Sequence, residues 1–179
     1  NGATATVSGA TAISGAGTFF VKNAALNFSG DGASLAADTL SVGAGTLALD
    51  GAGTLSVAEK LVFTETGSAT VTLSENATLA VTEVARAADG VNVTVDGTGT
   101  LMLYVAAEDA KDGESAGEDE EEAAKEILFS AFSETVKDEA GNETTVVREG
   151  SFTIGSGVKL KAGISVGEGA TLSLSPDSQ

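Results

Sequence analysis

Residues 43–57 read GAGTLALDGAGTLSV. The phrase Gly-Ala-Gly-Thr-Leu occurs twice in it, at 43–47 and 51–55. Each residue type has a physical task. Gly permits a tight turn, β-branched Thr favours extended backbone, and Leu alternating with small residues gives a strand one buried face. The same alternation runs outward in both directions, through Phe19 and Val21, Leu26 and Phe28, Leu61 and Phe63, Val71 and Leu73, and Leu79 and Val81. It continues through Val91, Val93 and Val95 to Leu101, Leu103 and Val105. Turns of the form small-x-small-Thr separate these segments, at Gly15-Ala16-Gly17-Thr18, Gly67-Ser68-Ala69-Thr70 and Gly97-Thr98-Gly99-Thr100 among others.

Spacing turns this string of short strands into a fold. Neighbouring segments are separated irregularly, but every third one recurs at a near-constant interval. Phe19, Leu40 and Leu61 are 21 apart, as are Leu26 and Leu47, and Leu35 and Leu55 are 20 apart. Leu47 to Val71 and Leu55 to Leu79 are each 24. Phe152 to Leu172, in the last part of the chain, is 20. A repeat of this length, built of three short strands, predicts an all-β parallel β-helix, or β-solenoid, of about seven coils with three strands per coil of 20–24 residues. Residues 1–179 then form one domain, interrupted at 106–131.

Composition restricts the chemistry. The 179 residues include no Cys and no His. This removes disulfides, thiolate metal sites, a Cys nucleophile and the usual general base. The net charge is -17, from 26 acidic and 9 basic residues, which disfavours nucleic acid and anionic lipid. No apolar run approaches the length of a membrane-spanning helix, so no membrane insertion is expected. No P-loop occurs, and the Gly-x-Gly pairs precede no long helix. The turn carboxylates Asp31, Asp50, Glu65 and Asp96 read as solubilising turn residues rather than an acid–base pair. The sequence predicts no enzyme and no cofactor.

The interruption is AAEDAKDGESAGEDEEEAAKE, residues 106–126. It reads as an acidic loop followed by a short helix over about 117–129. Ser115 and Glu118 match a capping box, Glu121 and Lys125 are an i,i+4 pair, and Ala124, Ile127, Leu128 and Ala131 make an apolar stripe. Glu118, Asp119, Glu120, Glu121 and Glu122 are candidate oxygen ligands for calcium, although no EF-hand pattern occurs. The polar stretch at 137–143 reads as a hairpin or corner loop around Asp138 to Asn142.

Four Asn-x-Ser/Thr sequons are present, at Asn27, Asn76, Asn92 and Asn142, and make the candidate acceptors of an exported glycoprotein. Asn142, in a polar loop, is the best placed. Thr46, Thr54, Thr70, Thr78 and Thr100 recur at corners and invite an ice-binding reading, since a flat Thr array on a solenoid can order water, but no regular T-x-T ladder on one face is evident from the sequence, and β propensity accounts for them.

The stretch at 43–63, GAGTLALDGAGTLSVAEKLVF, with GEGATLSLS at 167–175, resembles the repeats of secreted bacterial parallel β-helix proteins, namely autotransporter passenger domains and filamentous-hemagglutinin-like adhesins. The resemblance covers about 15–105 and 150–175. It implies a right-handed parallel β-helix at the cell surface or outside the cell, serving adhesion or as a stalk. From the residues themselves, uncapped coil ends predict a structural subunit that pairs with copies of itself, head to tail, into a filament or surface layer. Two alternatives stand beside it. One is a monomeric adhesin or carbohydrate-binding β-helix that meets glycans or other cell-surface components along a face. The other is a β-sandwich pilin-like subunit completed by a donated strand.

Overall fold

The computed structural model describes residues 3–8, 12–21, 24–29, 31–43, 45–65, 67–88, 90–105, 126–137, 141–148 and 150–175. Strands follow one another in coils. The first four coils hold β1 (Ala3–Ser8) and β2 (Ala12–Val21), β3 (Ala24–Ser29) and β4 (Ser34–Val42), β5 (Gly45–Leu49) and β6 (Thr54–Phe63), and β7 (Gly67–Leu73) and β8 (Thr78–Arg86). The fifth holds β9 (Val91–Gly97), β10 (Thr100–Leu103) and β11 (Glu126–Ser130). A hairpin of β12 (Phe132–Lys137) and β13 (Glu143–Arg148) then leaves the body. The sixth coil holds β14 (Gly150–Ile154), β15 (Lys159–Lys161) and β16 (Gly163–Val166), and β17 (Ala170–Leu174) begins a further turn. The protein is an all-β solenoid of about six turns.

Two parallel sheets run its length. Sheet A stacks β1-β3-β5-β7-β9-β14-β17, and sheet B stacks β2-β4-β6-β8-β10-β15, with β11 beside β8 and β16 beside β11. Pairs picked out by sequence spacing are register partners. Phe19 meets Leu40 and Leu40 meets Leu61 in sheet B, while Leu26 meets Leu47 and Leu47 meets Val71 in sheet A. Phe152 likewise meets Leu172. Sheet A pairs without a break in register. Each of β2, β4 and β6 carries a register shift against its next neighbour, as between Ala37 and Thr39.

Alternation dictates the interior. Inward residues form columns along the rod, such as Leu26, Leu47, Val71, Val95 and Ile154, each no more than 2% exposed. A second column runs Leu40, Leu61, Val84, Phe129. Phe129 and Phe152 meet edge to face, with ring centroids 5.1 Å apart. Burying a Leu this completely stabilises the fold by about 1.5–3 kcal/mol, so six turns of aliphatic residues, with Phe28, Phe63, Phe129 and Phe152 among them, make a core without Trp.

Two expectations change. First, the last part of the stretch expected to be helical, about 117–129, is a strand: 126–130 form β11, and 106–125 lie outside the described residues, as do the five calcium candidates. The helical stripe of Ala124, Ile127, Leu128 and Ala131 is overruled by period two, because Ile127 and Phe129 are fully buried while Leu128 points away. A continuous parallel ladder on Val84 and Val166 outweighs a short helix in isolation. Second, the β-sandwich alternative fails, since sheets A and B are parallel throughout and only β12 and β13 pair antiparallel. Of the two readings of 137–143, hairpin or corner loop, the hairpin is the one present: β12 and β13 pair antiparallel, with a Lys137–Glu143 ion pair at 2.8 Å. Residues 138–140 lie outside the described residues.

Candidate functional site

Several carboxylates at corner positions are engaged with a neighbouring coil. Asp38 accepts a hydrogen bond from the Gly17 N–H at 2.6 Å, and Thr39 donates to Glu59 at 3.4 Å. Glu83 pairs with Lys60 at 3.2 Å and accepts from the Ser130 hydroxyl. These residues line the corner where β4, β6 and β8 shift register, and the acidic insertion leaves the same corner between β10 and β11. Their geometry staples coil to coil.

The turn carboxylates are spread out rather than gathered. Asp50 accepts from Ser74 at 3.1 Å, Asp96 accepts from the Gly97 N–H at 2.8 Å, and Glu65 lies against Gly43. Among the described residues no group of three or more Asp, Glu, His or Cys is placed to hold a metal ion. The sequons divide by location. Asn76 is exposed in the turn before β8, and Asn142 is exposed beside β13. Asn92 and Asn27 both lie on sheet A's outer face, where Asn92 is exposed and Asn27 is half-buried with its Oδ1 enclosed.

Two features were not legible in the sequence. Arg86 continues the inward column of Val21, Val42 and Phe63, and is only 2% exposed. Its Nη1 donates to the Val91 carbonyl at 2.9 Å, and its guanidinium lies 6.0 Å from the Phe152 ring centroid. Gly150 packs so closely on that guanidinium that a Cβ there would collide with it. The second feature is a hydroxyl ladder. Thr46, Thr70, Thr94 and Thr153 are successive register partners on the outer face of sheet A, followed by Ser173. Thr54, Thr78 and Thr100 form a separate column on sheet B. The corner threonines therefore sort into two ladders. The first crosses both insertions, which hid it from a reading along the chain.

Both ends of the solenoid leave strand edges without a partner among the described residues. β1 pairs only with β3, and β2 only with β4; at the other end β15, β16 and β17 each have one neighbour. The core columns run out there with apolar residues partly in water: Ile13 is 36% exposed at one end, and Val166 46% and Leu174 55% at the other. Phe20, on the outer side of β2, is 73% exposed. The hairpin leans on one corner of the second end, where Val147 sits against Gly169. Comparison with protein-family models, with curated proteins and with solved structures finds no match to this chain.

Proposed function

We propose that this protein is an extracellular structural subunit whose coil ends pair with further copies, building a rod, filament or surface layer. The observation that carries the reading is the pair of coil ends: parallel edges without a partner among the described residues coincide with core columns that end in partly exposed Ile13, Val166 and Leu174. An edge of this kind offers a row of backbone donors and acceptors, and a heterologous end-to-end contact propagates. Each of the first four coils gives one strand to sheet A and one to sheet B, and the repeated register shift in sheet B keeps successive coils alike, as a stackable unit requires. The resemblance of 43–63 and 167–175 to autotransporter passengers and filamentous-hemagglutinin-like repeats supports a place outside the cell.

Negative-stain microscopy and sedimentation of purified protein test this. Filaments of uniform width are expected at raised concentration, and Leu174→Lys is expected to abolish them by placing a charge in the joint. Monomers at every concentration would overturn the reading. The adhesin alternative gains little support, because sugar recognition calls for aromatic platforms, and the shallow pocket lined by Gly15, Ala36, Asp38, Ser56 and Ala58 carries one ring, that of Tyr104.

A further inference from the structure

The outer face of sheet A differs from the rest of this acidic molecule. Its central column is Thr46, Thr70, Thr94, Thr153 and Ser173, one hydroxyl per rung with no register break. A flanking column places Ser68 beside Asn92, and Ser151 donates to the Asn92 side chain at 2.6 Å. On the other side Thr72 stands between Ala48 and Asp96. Asp96 is the one charged residue among the outward positions of β5, β7, β9, β14 and β17, in a chain of net charge -17. The outer positions of sheet B, by contrast, include Lys60, Glu83, Glu126, Lys159 and Lys161.

Parallel stacking sets the repeat of this array. Hydroxyls recur about every 4.8 Å up the central column, and about every 6.6 Å along β7, β14 and β17, while the flanking outward positions of β5 and β9 are Ala48, Asn92 and Asp96. Thr is β-branched, so χ1 is restricted and the hydroxyl and methyl are held in place before any ligand arrives. Such a surface loses little side-chain entropy on binding a rigid, periodic partner. A neutral face suits an uncharged partner. The absence of an aromatic ring among these outward positions argues against stacked sugars. An uncharged lattice of hydrogen-bonding groups with two comparable repeats is the prism surface of ice. We propose that the outer face of sheet A, centred on Thr70, Thr94 and Thr153, orders water and binds ice crystals. This is independent of end-to-end assembly, since a monomer carries the whole face.

The test uses the full chain, partitioned between a slowly grown ice hemisphere and the remaining liquid, with thermal hysteresis measured on the same samples. The expected result is enrichment of the protein in ice together with a measurable freezing-point gap. Thr94→Lys and, separately, Thr70→Lys are expected to abolish both while retaining the β circular dichroism spectrum. Thr78→Lys, on the sheet B ladder, is expected to retain both. Exclusion of the unsubstituted protein from ice, as seen with a non-binding control protein, would overturn the proposal. So would equal enrichment of folded Thr94→Lys, or dimers joined through this face without any affinity for ice.

Discussion

At the scale of single residues, the least expected side chain is Arg86. Its place in an apolar column follows from what surrounds it: the Val91 carbonyl accepts from it, the Phe152 ring lies over it, and Gly150 leaves the room its guanidinium needs. Arg86→Ala removes a charge-assisted hydrogen bond and leaves a void beside Phe63. Unfolding in guanidinium is expected to show a loss of about 2–4 kcal/mol, and an unchanged midpoint would refute this role. Gly97 is constrained in a different way. Its φ is +110°, and a Cβ would run into the Leu73 carbonyl, which already accepts from the Thr98 and Gly99 amides at 2.8 and 3.1 Å. Gly97→Ala is expected to cost about 1–3 kcal/mol and to lower the melting temperature measured by circular dichroism. The role of Gly at such turns was legible in the sequence. The inward Arg86 was not, because its partner Phe152 comes from two coils further on and no local pattern announces it.

At the scale of elements, the acidic insertion is an excursion from a coil that closes without it. Met102 lies opposite Lys161, and Glu126 lies opposite Gly163. In the sixth coil a single residue, Ala162, joins those two partners. A variant lacking residues 104–125 joins Leu103 directly to Glu126 and so reproduces that corner. It is expected to fold with an unchanged β spectrum and similar cooperativity, and a loss of cooperative melting would show that the insertion is part of the core. Register elsewhere was legible because partners lie one coil apart and alternate strictly, as Leu40 and Leu61 do. β11 was misread because EEEAAKEIL has strong helix formers and a helical apolar spacing, while the ladder on Val84 that decides its state is remote in sequence. The hydroxyl ladder was missed for a related reason: Thr94 and Thr153 look unrelated until the intervening excursions are placed outside the stack.

At the scale of the molecule, charge and edge act against each other. Copies carrying -17 repel, while their open ends invite pairing. Screening shortens the reach of that repulsion from about 8 Å at 0.15 M salt to about 3 Å at 1 M. End-to-end association is therefore expected to strengthen as sodium chloride is raised, read as growing sedimentation coefficients. Dissociation on adding salt would instead point to ion pairs in the joint. The interruption of the coil also bears on synthesis. The strand that pairs with β9 is contributed 59 residues further along, at the Asn92–Ser151 contact. A ribosome adds about 5–20 residues per second, so the nascent chain holds the β9 edge exposed for about 3–12 s, whereas edges within the first four coils wait a fraction of that time. The stretch emerging during this pause is the most acidic in the chain, and mutual repulsion between neighbouring nascent chains is then greatest when their unpaired edges are most able to find one another.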